Sequence, residues 1–150
     1  MNINYWGPAC WNLFHTLAEK IKEDHFPIIG QHLYNQILLI CQNLPCPDCA
    51  LHAKQFLSKI NPSSLKNKHD LKNLLYVFHN KVNETKQKLL FKYEDLLQYR
   101  QYSIIHLFNI FSKTYNSNGN LTLIADNMQR RHIVANMKKW LMQNLSHFEI

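Results

Sequence analysis

The stretch NLPCPDCALHAKQFL, residues 43–57, is the most informative part of this 150-residue chain. Cys46 and Cys49 form a Cys-x-x-Cys motif inside it. Pro45 predicts the end of one helix, and Pro47 suits the first position of the next, because its ring already holds a helical φ and no N–H is needed there. We therefore expect Cys46 to be the N-cap of a helix and Cys49 to lie in its first turn.

This placement predicts redox chemistry for the two thiols. Both sulfurs would face the positive end of a helix dipole, which favours the thiolate and lowers the thiol pKa. Two cysteines at this spacing can also close a disulfide across one turn of the helix. The physical chemistry of the motif therefore points to a redox-active pair.

Zinc binding is the alternative use of the same segment. Four soft ligands fall within one short window, namely Cys41, Cys46, Cys49 and His52. Structural zinc sites usually join two separated ligand pairs, whereas this cluster is local and interrupted by helix. The spacing favours the redox pair, but a zinc-stabilised helical binding module without redox turnover stays open at this point.

Helical periodicity extends from this motif in both directions. Apolar residues recur every three or four positions, strand-like alternation is scarce, and the breaks fall near Pro27, Pro45 and Pro62. We predict an all-α fold, with a four-helix bundle and a short fifth helix over 1–99 and a helical C-terminal extension over 100–150. TYNSNGNLTLI, residues 114–124, is interpreted as a loop. The apolar stripes are Trp11/Phe14/Ala18/Ile21, Leu33/Ile37/Ile40/Leu44, Cys49/Ala53/Phe56/Ile60, Leu71/Leu75/Phe78/Val82 and Ile133/Met137/Trp140/Leu145.

The composition limits the classes of protein that the chain can represent. A hydrophobic content of 46% with 12% aromatic residues is typical of a globular domain. The first 20 residues do not have the pattern expected of a secretory signal, and we expect no bilayer-spanning segment, because no stretch is apolar for long enough. The net charge of +7 is spread along the chain, without a known nucleic-acid motif, which favours a solvated surface over nucleic-acid binding.

Two further clusters combine rings and amides. Trp11 and His15 share one face of the first helix, behind a helix start at Gly7-Pro8. The segment HNKVN, residues 79–83, continues the edge of another apolar stripe. Each cluster alone is typical of polar groups that find partners at the margin of a core. Together with the cysteine motif, on three helices, they resemble the lining of a site for a large, flat, polar ligand.

The three ordered motifs WGPACWNLFH (6–15), CPDC (46–49) and HNKVN (79–83) resemble those of the Erv/ALR-type FAD-dependent sulfhydryl oxidases. The segment LPCPDCALHA (44–53) is most similar to the short enzymes of large nucleocytoplasmic DNA viruses of the poxvirus, asfarvirus and mimivirus type. The resemblance covers residues 5–95. It implies an FAD-linked thiol oxidase that forms disulfides in protein thiols and passes the electrons to O2, giving H2O2.

The resemblance also implies roles for individual residues. Cys46 and Cys49 match the catalytic disulfide, with Cys49 beside the flavin and Cys46 facing the incoming thiol. The usual LGKPxF segment stands here as KQKLLF, residues 86–91, so this part rests on Lys88 and Phe91. The implied cofactor-binding residues are Gly7, Trp11, His15, Cys49, His52, His79, Asn80, Val82, Asn83, Lys88, Phe91 and Tyr93.

The expected partners follow from a feature of the family that residues 100–150 of this chain do not have. Residues 100–150 contain no cysteine, so no second, shuttle pair is present in that region. The resemblance implies a separate thiol protein of thioredoxin-like type as electron donor, a homodimer, and a location in the host cytoplasm or the virion. Cys10 and Cys41 are expected to be buried residues that pack as small apolar groups, with exchange between Cys41 and the active pair as the alternative.

Overall fold

The structure, a computed structural model, describes residues 3–116 and 124–150. In these ranges the chain is helical and contains no strand, which confirms the predicted all-α fold. None of the described helices is long and apolar enough to cross a membrane. The six α-helices are α1 Ile3–Lys20, α2 Phe26–Gln42, α3 Pro47–Leu57, α4 Lys68–Thr85, α5 Ile104–Tyr115 and α6 Ile124–Asn144. The 3₁₀ helices are Glu23–His25, Pro62–Ser64, Tyr93–Gln101 and Leu145–His147.

The helices pack around one apolar core. α1 contacts α4, α5 and the Tyr93–Gln101 helix, while α2 contacts α3, α4 and α6. The core contains the predicted stripes together with residues of α5 and α6, and Leu13, Leu71 and Phe111 are fully buried in it. Tyr93–Gln101 is the short fifth helix, and it crosses the predicted boundary between residues 99 and 100.

α1 begins earlier than the sequence predicts. Its first residue is Ile3, so Gly7 and Pro8 lie inside the helix rather than at its start, and Cys10 lies beyond the first turn. Pro8 removes one hydrogen-bond donor, but its φ remains helical. Trp6, in the turn before Pro8, is only 4% exposed, and we attribute the longer helix to this burial.

The loop predicted for residues 114–124 is shorter than expected at both ends. Thr114 and Tyr115 belong to α5, and Ile124 begins α6. The remaining part, residues 117–123, lies outside the described residues. At the other end of α6, the chain terminus returns to the turn between α1 and α2, where Ile21 forms an isolated antiparallel bridge with Phe148.

Candidate functional site

A cavity of about 340 Å³ lies among α1, α2, α3 and α4. Its walls are mainly aromatic and aliphatic, and exposed lysines stand at its rim. The wall residues include Trp6, Trp11, Phe14, Leu44, Phe56, Phe78 and Val82, and the rim lysines are Lys59, Lys81 and Lys86. The cavity combines flat apolar surfaces with nearby positive charge, which suits a flat ring system that carries a negatively charged group.

The cysteine motif has the predicted local geometry. Cys46 is the N-cap of α3 in an extended conformation, and Pro47 occupies the first helical position. The backbone N–H of Cys49 donates to Cys46 Sγ at 3.3 Å, so the sulfur takes the place that a serine or aspartate oxygen holds in other caps. Both cysteines are free and half-buried. Cys49 lines the cavity and Cys46 does not.

The expected lowering of both thiol pKa values is wrong for Cys49. Burial raises the pKa of Cys49 to about 11, and the hydrogen bond and charge interaction with Cys46 act in the same direction. The ammonium of Lys86 opposes this rise. The apolar wall beside Cys49 therefore disfavours its thiolate more than the start of α3 and Lys86 favour it.

A stack of rings joins α1 to α4 beside the cavity. Trp11 lies face to face with His79, with centroids 4.1 Å apart and planes inclined by 8°. His15 Nε2 is 2.9 Å from His79 Nδ1, and the ring of His15 stacks on Tyr99 at 4.9 Å. Burial lowers the pKa of His15 to about 3 and that of His79 to about 4. Both imidazoles are thus neutral at pH 7 and present ring faces rather than charge.

Asn80 holds the segment that follows α4. Its Nδ2 donates to the Phe91 carbonyl at 3.0 Å, and its Oδ1 accepts from the Phe91 N–H at 3.0 Å. Asn83 Nδ2 donates to the same Oδ1 at 3.3 Å, and the Lys88 N–H donates to the Asn83 carbonyl at 2.8 Å. Gln87, at φ 58°, makes the turn. Phe91 is thereby fixed with its ring centroid 4.6 Å from that of His79.

The predicted cofactor-binding residues divide into three groups. Those that line the cavity are Gly7, Trp11, Cys49, His52 and Val82. Those linked to Trp11 through rings or hydrogen bonds are His15, His79, Phe91, Asn80 and Asn83. Of the other two, Lys88 has an exposed side chain and contacts Asn83 through its backbone N–H, and Tyr93 packs on Tyr76 with its hydroxyl 3.5 Å from His69 Nδ1.

Sequence analysis missed the rim lysines. Lys81 lies within the HNKVN segment beside Val82, and Lys86 follows as the C-cap of α4, four residues after Val82. Lys59 follows Phe56 by three residues and lies two residues beyond the end of α3. Exposed lysines are common, and the signal that could have found these three is their position beside predicted lining residues.

The other cysteines lie in the cavity wall. Cys10 and Cys41 are both free, buried and part of the wall. Burial raises the pKa of Cys41 to about 12 and that of Cys10 well above its ordinary value, which makes both poor nucleophiles at pH 7. Within residues 3–116 and 124–150, no three His, Cys, Asp or Glu side chains converge as metal ligands, so the zinc alternative gains no support.

Comparison with known proteins gives a consistent set of relatives. The family model described as the Erv1 / Alr family matches residues 8–103. The "FAD-linked sulfhydryl oxidase" of an African swine fever virus isolate is 28% identical over 102 residues, which are 68% of this chain and 85% of the viral one. The "Probable FAD-linked sulfhydryl oxidase" of fowlpox virus is 36% identical over 78 residues, 52% of this chain and 73% of its own. An Arabidopsis thaliana "FAD-linked sulfhydryl oxidase" is 30% identical over 88 residues, 59% and 46% of the two chains. No solved structure matches the chain.

Proposed function

Because the chain belongs to the Erv1/Alr family and is an FAD-dependent thiol oxidase, we propose that Cys46 and Cys49 are its redox-active pair. The observation that carries this proposal is the different exposure of the two sulfurs to the cavity. Cys49 lines the cavity, while Cys46 caps α3 and is not part of the lining. One sulfur can therefore face a cofactor while the other receives a substrate thiol.

The residues of the cavity fit FAD by their chemistry. Aromatic walls suit the flat ring system of a flavin, and the rim lysines suit a diphosphate. Neutral His15 and His79 are compatible with stacking beside uncharged rings. FAD, when bound, would supply an acceptor for the two electrons of the dithiol and would pass them to O2. We assign the cofactor to the predicted residues that line this cavity or are linked to it, together with Lys59, Lys81 and Lys86.

The protein residues carry out the thiol exchange. A substrate thiolate attacks the Sγ of Cys46 in the Cys46–Cys49 disulfide, a mixed disulfide forms at Cys46, and Cys49 leaves as a thiolate. The start of α3 and the ammonium of Lys86 stabilise that charge against the effect of burial. A second substrate thiol then attacks the mixed disulfide at the substrate sulfur, which releases the oxidised substrate and leaves Cys46 reduced.

The partners and the division of the chain belong to the same proposal. Substrates are thiol-containing molecules, and we assign the delivery of electrons to a separate protein of thioredoxin-like type. O2 is the terminal acceptor, the oxidase is a homodimer, and it acts in the host cytoplasm or the virion. Residues 1–99 form the FAD-binding unit, and residues 100–150 form a helical extension. The contacts of α5 with α1 and of α6 with α2 support packing of this extension on the bundle.

Substitution of single cysteines tests the assignment. We expect Cys46→Ser and Cys49→Ser to abolish oxidation of a small dithiol, measured as O2 consumption, while the flavin-to-protein ratio stays that of the parent. Full turnover by either variant would exclude the pair as the redox centre. Cys41→Ala distinguishes the two roles weighed for Cys41, because retained turnover supports packing and lost turnover with bound flavin supports exchange with the pair.

A further inference from the structure

A tyrosine of α5 donates a hydrogen bond to carbonyl oxygens at the C-terminal end of α2. Tyr115 Oη lies 3.0 Å from the Ile40 carbonyl oxygen and 2.9 Å from the Asn43 carbonyl oxygen, and its proton is shared between them. The side chain is fully buried, and its ring stacks on Phe111 at 4.9 Å. Burial raises the pKa of Tyr115 far above its ordinary value, so the hydroxyl remains a donor. The last carbonyls of a helix have no donor within the helix. The Ile40 carbonyl accepts the Asn43 N–H at 3.1 Å, and Tyr115 adds a donor to the Ile40 and Asn43 carbonyls from elsewhere in the chain.

This helix end lies directly before the redox motif. Residues 43–45 are all that separate α2 from Cys46, and Pro45 has no N–H with which to anchor the connection. Asn43 also caps α2 itself, because its Nδ2 donates to the Leu39 carbonyl at 2.9 Å. A displacement of Asn43 is therefore transmitted within three residues to the N-cap of α3.

We propose that Tyr115 is a positioning residue for the Cys46–Cys49 pair, an inference that rests on the function proposed above. By holding Asn43, the hydroxyl keeps Cys46 where its Sγ accepts the N–H of Cys49. That hydrogen bond is available to the reduced pair and strengthens when Cys46 carries charge. Tyr115 lies beyond residues 8–103, the part that matches the family model, so the C-terminal extension contributes to the redox centre.

The predicted consequence is a shift in the thiol–disulfide equilibrium. Without the hydroxyl, the contact between Cys49 N–H and Cys46 Sγ is populated less, and the reduced pair loses stabilisation relative to the disulfide. In the test equilibrium, a reference dithiol loses two electrons and two protons to become its disulfide, and the Cys46–Cys49 disulfide gains them to become the dithiol. We expect Tyr115→Phe to move this equilibrium toward the protein disulfide by about threefold.

The experiment uses the full-length protein with bound flavin, without O2. Parent and variant are equilibrated in mixtures of reduced and oxidised dithiothreitol, acid-quenched and alkylated, and the peptide that contains Cys46 and Cys49 is quantified by mass spectrometry. Tyr102→Phe removes a hydroxyl that bonds Gln98 and is the matched control. Ile133→Val, in the core at α6, controls for a general loss of stability. Both controls should retain the parent equilibrium.

A second variant tests the same helix end independently. Asn43→Ala removes the other side-chain cap and should shift the equilibrium in the same direction as Tyr115→Phe. The proposal is overturned if Tyr115→Phe keeps the parent equilibrium, or if Ile133→Val shifts it as much. A parent protein whose Cys46 and Cys49 never form a disulfide in oxidised buffer would instead overturn the proposed function itself, and the two failures are thus distinguishable.

Discussion

His15 Nε2 lies 2.9 Å from His79 Nδ1, so a single hydrogen bond between two imidazoles joins α1 to α4 beside the cavity. One ring must donate and the other must accept, which requires that at least one of them be neutral. Burial lowers the pKa of both rings, and the charge interaction with His79 adds to the effect on His15. Both histidines are therefore uncharged at neutral pH, and protonating them in the folded protein is unfavourable.

This pair predicts a pH dependence of stability. Each ring is neutral in the folded state well below pH 6.5 but titrates near 6.5 in the unfolded chain, so protons favour unfolding. The stability that comes from keeping these two rings neutral is fully present above pH 6.5 and is lost as the pH falls toward 4. His79→Phe keeps a ring on Trp11 and should remove roughly 1–2 kcal/mol of the decrease in unfolding free energy between pH 7.5 and 5. Urea denaturation at both pH values measures it, with exposed His106→Gln as control; equal decreases in parent and His79→Phe would contradict the prediction.

Asn80 should control the segment that carries Phe91. Asn80→Asp keeps the acceptor but replaces the amide donor by a carboxylate oxygen that faces the Phe91 carbonyl. The loss of one donor and the new repulsion should lower the unfolding free energy by about 1–3 kcal/mol and weaken retention of flavin. Urea denaturation and the ratio of flavin to protein after gel filtration test both effects. Asn109→Asp, exposed on α5, is the control. If Asn80→Asp changes the unfolding free energy and the flavin content no more than this control does, the hydrogen bonds of Asn80 to Phe91 do not have the proposed role.

Lys86 should tune the reactivity of Cys49. Burial raises the pKa of the Cys49 thiol, and the ammonium of Lys86 lowers it. Lys86→Met should therefore raise the pKa of Cys49 further. We expect the rate at which a dithiol bleaches the bound flavin without O2 to reach its maximum at a higher pH in this variant. Stopped-flow absorbance across a pH series provides the measurement. Lys113→Met removes a lysine on exposed α5 surface, and a profile common to both variants would show that Lys86 acts on overall charge alone.

Glu19 should anchor the Tyr93–Gln101 helix to the bundle. Burial alone would raise the pKa of Glu19, but the ion pair with Lys72 (Nζ to Oε2, 2.7 Å) and the hydrogen bond from Arg100 (Nε to Oε1, 2.6 Å) outweigh it and hold the pKa below its ordinary value. This stability is present above pH 4.5 and is lost as the pH falls through the lowered pKa. Glu19→Gln should cost about 2 kcal/mol at pH 7 and less at pH 3.5, measured by urea denaturation.

The matched control for Glu19 is Glu84→Gln, which breaks an exposed pair with Lys81. It should change the unfolding free energy by less than about 0.5 kcal/mol. A cost for Glu19→Gln no larger than that of the control would contradict an anchoring role.

The features predicted correctly from sequence are mostly local ones. Pro45 and Pro47 predict Cys46 as an N-cap, because prolines act on the backbone within one or two residues. Apolar stripes predict helices for the same reason, since each stripe needs only its own residues. Sequence reasoning failed where residues distant along the chain decide the outcome: burial raises the pKa of Cys49, which lines a cavity formed by residues of four helices.

Other long-range features have no local signal. The bond from Tyr115 to the Ile40 carbonyl spans 75 positions, and the sequence pattern predicts a loop at Tyr115, where nothing indicates such a contact. The start of α1 at Ile3 depends on the packing of Trp6, while Gly7-Pro8 signals a boundary through local conformation alone. Tertiary packing thus overrode a local signal there and supplied a contact that no motif contains.

The most direct test of the central claim is a visible absorption spectrum of the freshly purified protein, repeated after addition of a dithiol without O2 and again in air. We predict a flavin band that bleaches with the dithiol and returns in air. With Cys49→Ser, the band should be present but should not bleach. A folded protein that is colourless and contains zinc, or a flavin band that bleaches equally fast in Cys49→Ser, would contradict electron transfer through this pair.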